Sequence, residues 1–135
     1  MDKPLPRVNS INRPFWEACN RGELWLQRCD APGCARHVYY PRVCCPYCGA
    51  GELTWGPVSG RGRITTFTVV HRPQHKVFFD EAPYVVLAVT LDEGPLMYSR
   101  LRPSLAPAQP LLGHAVKARF VDYMPQQKLP YFELA

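Results

Sequence analysis

Four cysteines carry the clearest chemistry in this sequence: Cys29-Asp-Ala-Pro-Gly-Cys34, ten residues, then Cys45-Pro-Tyr-Cys48 followed by Gly49. A tight turn aims two thiolates at one point, and two such knuckles joined by a short hairpin build a tetrahedral four-sulfur zinc site. The first knuckle has four intervening residues where two are usual, and Pro32-Gly33 supplies a turn that absorbs the excess. Cys44 in place of Cys45 would give a second knuckle with three intervening residues, a less common spacing. Disulfides or buried free thiols are the readings without metal. Cys19 and Cys44 are left as structural thiols. A site closed by four sulfurs has no open position, so its metal holds the fold and does no chemistry. Arg28, Arg36 and Arg42 are placed to offset the negative charge of four thiolates around one divalent ion, which leaves them less available to phosphate.

No other group of residues reads as a catalytic set. Asp80-Glu81 and Asp92-Glu93 fall in expected turns, where solvated surface is the common role. His71 ends an apolar stretch and is expected to be packed or hydrogen-bonded, while His37, His75 and His114 sit in loops or at strand ends where the sequence marks no catalytic set. Cys19 and Cys44 lack a Cys-His signature. The chain is therefore expected not to be an enzyme on its own. Arg61-Gly62-Arg63 reads as a small basic turn, and Arg72, His75 and Lys76 as a second basic loop.

The elements that must hold the cysteines follow from pattern. Residues 1–22 read as an extended arm and a helix starting near Pro14 and ending at Gly22, with Phe15, Trp16 and Cys19 on one side for core packing or a partner. Residues 23–57 read as the zinc ribbon, with strands at 23–27, 37–40 and 53–55. Gly56, Pro57, Gly60 and Gly62 mark a hinge. Residues 58–135 read as strands at 64–71, 84–91, 96–101 and 115–123 plus the tail, with a Pro-rich connecting loop from Pro103 to Pro110 and no sustained helical period after residue 22. Five strands of this spacing fit a Greek-key barrel of the OB type. The fold class is mainly β: an N-terminal helix, a rubredoxin-like zinc ribbon and an OB barrel. Both faces of the 64–71 and 84–91 strands are largely apolar, which points to a barrel wall lying against another surface.

Composition bounds the rest. The chain has 135 residues, 47% hydrophobic and 20% charged, which is a soluble globular balance. Its formal charge of +5 falls to about +3 once the ribbon is metallated, a weak invitation to nucleic acid. No run approaches the ~20 apolar residues of a membrane span, the first residues have no signal-peptide pattern, and metal-type cysteines suit a reducing compartment. The expected location is the cytoplasm.

Phe15-Trp16-Glu17-Ala18, Gly22-Glu-Leu, Leu26-Gln-Arg-Cys29, Pro41-Arg42, Cys45-Pro-Tyr-Cys-Gly49, Val58-Ser-Gly-Arg-Gly62, Thr68-Val-Val-His71, Pro83-Tyr84 and Leu91-Asp-Glu-Gly94 together resemble the zinc-ribbon plus OB-fold family known as domain of unknown function thirty-five. The widened first knuckle departs from its pattern. The resemblance implies a small companion of thiolase-fold enzymes, as in archaeal acetyl-CoA thiolase with hydroxymethylglutaryl-CoA synthase, phloroglucinol acetyltransferase, steroid side-chain aldolases and aromatic β-oxidation thiolases. It implies a non-catalytic accessory subunit that braces a thiolase-fold partner and borders its coenzyme A channel, with the nucleophilic cysteine in the partner. Arg61, Gly62 and Arg63 then become candidates for a coenzyme A phosphate, against the commoner role of solvated arginines. The alternative is an OB-fold nucleic-acid-binding protein. For that role Phe67, Tyr84 and Tyr98 offer stacking surfaces, but few lysines or arginines lie between them.

Overall fold

The computed structural model describes residues 2–102 and 110–135; the Pro-rich connection from Pro103 thus lies, except for Pro110, outside the described residues. Helix α1 (Arg13–Asn20) carries Pro14 in its first turn, where a missing N–H costs nothing. The chain leaves it through Gly22, whose φ of +78° suits a residue without Cβ. Phe15 and Cys19 are buried on one face of α1, so the apolar stripe is core.

The ribbon is a three-stranded sheet in the order β2-β1-β3, from β1 (Trp25–Cys29), β2 (His37–Val38) and β3 (Leu53–Pro57). The strand expected at 37–40 stops at Val38, because Tyr39 and Tyr40 pack on Phe15 and Trp16 of α1 instead. The Tyr40 hydroxyl accepts from Trp16 Nε1 at 2.9 Å and from Asn12 Nδ2 at 3.2 Å.

Strands β4 (Arg61–Val70), β5 (Tyr84–Leu91), β6 (Leu96–Arg102), β7 (Ala115–Met124) and β8 (Gln127–Leu134) close a barrel in the order β4-β5-β6-β8-β7. β6 and β8 run parallel and every other pair antiparallel, the five-stranded arrangement of an OB fold. Its interior holds Ile64, Leu87, Val89, Met97, Leu101 and Phe132, each almost wholly excluded from solvent.

The expected hinge is not one. β3 pairs with β1 as far as Pro57, the Val58 N–H donates to Leu24 O, the Ser59 N–H to Glu93 Oε2, and Gly60 O accepts from the Ala118 N–H. Phe15, Cys19, Leu24 and Leu26 share one hydrophobic cluster with the barrel interior, so helix, ribbon base and barrel have a common core. Gly60 turns the chain at a φ of +73° against Ala118, and the turn is fixed by these bonds rather than free to bend.

Residues 61–63 are strand, not a turn: they pair with β5 on one side and β7 on the other. A Cβ on Gly62 would lie 2.4 Å from Thr90 O and 2.7 Å from Val89 Cγ1, so glycine lets β4 cross β5 closely where the barrel shuts. The chain from Lys76 to Glu81, expected as loop and turn, forms a 3-10 helix because the His75 Nδ1 accepts the Val77 N–H and caps its start. Gly62→Ala is expected to cost about 1–3 kcal/mol through overpacking against backbone that cannot retreat. Urea unfolding should show this as a lower midpoint at unchanged slope.

Candidate metal centre

Strand β1 delivers Cys29 at its end, and the turn through Gly33 (φ +81°) brings Cys34 back beside it. The second knuckle is tightened by backbone bonds from Cys45 N–H to Ala50 O and from Gly49 N–H to Cys45 O. Cys29 Sγ and Cys48 Sγ lie 3.6 Å apart and Cys34 Sγ and Cys45 Sγ 3.7 Å apart, with all four sulfurs within 4.8 Å of one another. Sulfurs about 2.3 Å from a tetrahedral zinc sit roughly 3.8 Å from each other, so the donor set fits one zinc ion. Cys45, not Cys44, is positioned to be the ligand: Cys45 is buried with the cluster, whereas Cys44 is exposed outside it.

The thiols are unequal before metal binds. Burial opposes ionisation of Cys45, yet backbone N–H groups of Cys48 and Tyr47 outweigh it and bring its pKa down to about 7. Cys29 receives a backbone bond at Ala31 that favours its thiolate, but burial and the neighbouring sulfurs push it up to about 12. A divalent cation removes this conflict by taking all four as thiolates. Cys19, buried in the common core, is pushed up to about 12 by desolvation and stays a thiol.

Three arginines were expected to balance the thiolates. Arg28 Nε donates weakly to Ala35 O at 3.4 Å, across the first knuckle, and Arg36 lies over the Tyr47 ring at 4.7 Å, beside the second. Arg42 contributes its backbone instead. Its N–H and carbonyl bond the side-chain amide of Gln27, each at 2.8 Å. Gln27 is buried on β1 and was not singled out by sequence, because an amide that imitates a strand partner leaves no spacing signal. It anchors the approach to the second knuckle.

The other candidates are dispersed. Arg61 and Arg63 are exposed, and Arg63 Nη1 donates to Gly113 O at 3.1 Å. His71 is exposed rather than packed. Nor are the paired acids simply solvated. Burial raises the Glu81 carboxyl, but Lys3 at 3.0 Å and Arg100 at 2.8 Å prevail and hold it below the usual range. Glu93 binds the Ser59 N–H. A cleft of about 370 Å³ beside Glu81, lined also by Lys3, Arg100, Arg102, Asp80 and Asp122, balances acids against bases and offers an anion no net attraction. No helix among the described residues is long and apolar enough to cross a membrane.

The purified chain is expected to hold one zinc, and Cys45→Ser to reduce that to near zero and lower Tm by several degrees, since metal-binding energy is folding energy here. Cys44→Ser should leave both unchanged. Zinc competes with protons at every sulfur, so retention against a chromogenic chelator should fall as pH falls. Elemental analysis and circular dichroism check these outcomes.

Two family descriptions match in tandem: the rubredoxin-like zinc ribbon domain of ChsH2 over residues 16–54 and its C-terminal OB-fold domain over residues 55–121. A probable enoyl-CoA hydratase alpha subunit of Thermomonospora curvata is 34% identical over 133 residues, 98% of this chain but 40% of that protein. A DUF35 domain-containing scaffold protein of Methanothermobacter thermautotrophicus is 40% identical over 67 residues, 48% of this chain and 50% of that one. The chain thus spans half or less of these relatives. A solved structure titled Ltp2-ChsH2(DUF35) aldolase superimposes with a TM-score of 0.81 at 32% identity, covering 96% of this chain and 98% of the other. Ribbon, barrel and relatives agree: this chain belongs to the ChsH2-type DUF35 family of zinc-ribbon and OB-fold proteins.

Proposed function

We propose that this chain is a non-catalytic accessory subunit that braces a thiolase-fold enzyme acting on acyl-CoA substrates in the cytoplasm. The observation that carries the reading is the end-to-end likeness to a chain of an aldolase whose title pairs ChsH2(DUF35) with Ltp2. The interior of the molecule supports it. The sulfurs able to hold a metal form a closed set, and the buried thiol of Cys19 is held protonated. In relatives named as hydratase alpha subunits this module is less than half of the protein, and we assign their hydratase chemistry to the remainder. We read residues 1–22, 23–57 and 58–135 as arm with helix, metal-stapled ribbon and barrel, each contributing surface to the partner. The nucleic-acid alternative is disfavoured because Tyr98 and Phe67, its exposed stacking residues, have no cationic groove between them.

The coenzyme A contact narrows to the guanidinium groups of Arg61 and Arg63, because the backbone around Gly62 is committed to the barrel. Arg61→Ala with Arg63→Ala should weaken coenzyme A binding to the assembled complex about tenfold without lowering Tm. Unchanged affinity in calorimetry would remove these residues from the site.

The reading as a whole is tested by tagged purification from the native host with nuclease treatment and intact-complex mass spectrometry. The expected result is a thiolase-fold subunit in simple ratio with one zinc per copy of this chain. Recovery of the chain alone, with salt-sensitive nucleic acid in the untreated control, would replace it with the nucleic-acid reading.

A further inference from the structure

The barrel is closed unevenly. β4 is ten residues long, but it pairs with β7 only over Arg61–Arg63, and the last backbone bonds on that side join Ile64 to Gly113 and His114. From Thr65 to Val70 its only strand partner is β5, so one backbone edge of this stretch has no partner strand among the described residues. Phe67 shows the effect. It lies opposite Leu87, which is fully buried, yet Phe67 itself is 38% exposed, and Thr65, Thr66 and Thr68 beside it are exposed as well.

Between its two ends the outer face next to this edge carries no charge; at one end Arg63, opposite Thr90, donates to Gly113 O. Cross-strand pairing aligns Thr66 with Ala88 and Tyr98, and Thr90 with Leu96, while the Thr65 and Thr90 hydroxyls bond at 2.5 Å. Tyr98 is 64% exposed and Leu96 39%. Arg100, the charged residue bordering this face in the next row, is turned to Glu81 and lies over the Tyr84 ring at 3.8 Å. The opposite wall differs: on β7 and β8, Lys117 and Arg119 pair with Glu133, and Lys128 with Asp122, as a solvated surface does.

Open edges are ordinarily protected by lysine, proline or a covering element. Thr65–Val70 has no lysine or proline. We propose that the open edge of β4 from Thr65 to Val70, with Phe67, Tyr98 and Leu96 as its flanking contacts, receives an extended, uncharged strand of the partner enzyme. Such a strand takes up the N–H and carbonyl groups along that side of β4 and continues the β6-β5-β4 sheet, while the threonines and aromatics alongside read its side chains. Charge selects this occupant. A polyanion finds only Arg63 and Arg100, each already engaged at an end of this face, and a second copy would bring together two chains that each keep a net charge of about +3 when metallated. An uncharged segment loses nothing on desolvation here.

This proposal rests on the accessory-subunit reading and is tested so that the two fail separately. The enzyme subunit recovered by native purification is identified, produced recombinantly and titrated against the zinc-loaded chain. Thr66→Lys with Thr68→Lys, two exposed positions that folding tolerates, should weaken the complex about a hundredfold, because two charges would be buried. Lys117→Glu on the opposite wall should change it less than threefold. In the wild-type complex the amides of residues 65–70 should exchange with deuterium at least tenfold more slowly than in the free chain. A complex that forms with unchanged affinity in the lysine variant and unchanged exchange at 65–70 would overturn the docking edge and leave the accessory role standing. Slowed exchange with a doubled mass in the isolated chain would overturn it in favour of self-pairing. Recovery of no enzyme subunit would overturn both.

Discussion

One hydrophobic cluster makes a unit out of three unlike pieces. The ribbon buries little of its own beyond Cys29, Val38 and Cys45, and α1 is too short to persist alone in water. Both are stable because Phe15, Cys19, Leu24 and Leu26 enter the same core as Ile64, Leu87 and Phe132. Polar ties then fix the geometry: Tyr40 holds Trp16 and Asn12, and Gln127 and Lys128 at the β7–β8 turn bond Trp16 O and Asn20 Oδ1. Each satisfies a group whose burial would otherwise be costly.

Beyond this core the two ends of the molecule solve different problems. The ribbon tip cannot be held by apolar burial, so four sulfurs and a cation hold it, and their chemistry is used up in doing so. The barrel is held by its interior, which frees its outer wall for other uses. That wall sorts by charge, with ion pairs along β7 and β8 and a patch without charge across the middle of β4, β5 and β6.

The parts legible in the sequence were those whose physics is local. Knuckle spacing marked the cysteines because two thiolates must converge within a turn. The strands were marked by turn residues at their ends. What escaped notice depends on residues far apart in the chain. Nothing beside Gln27 announces Arg42, and nothing beside Glu81 announces both Lys3 and Arg100. Gly62 has two local readings, a turn that cradles an anion and a place where two strands must touch, and only the position of Thr90 decides between them. The supposed hinge misled for the same reason: Gly and Pro signal a change of direction, and here the change is locked by Leu24, Glu93 and Ala118.

The absence of that hinge has a mechanical corollary. A flexible link would let ribbon and barrel each find its own seat on another molecule, with binding at one end merely raising the local concentration of the other. A bracket with no free joint instead fixes the distance and angle between its two ends before anything is bound. Anything that gripped both ends would have to conform to that span, so in such an assembly the small chain, rather than the larger body, would act as the gauge.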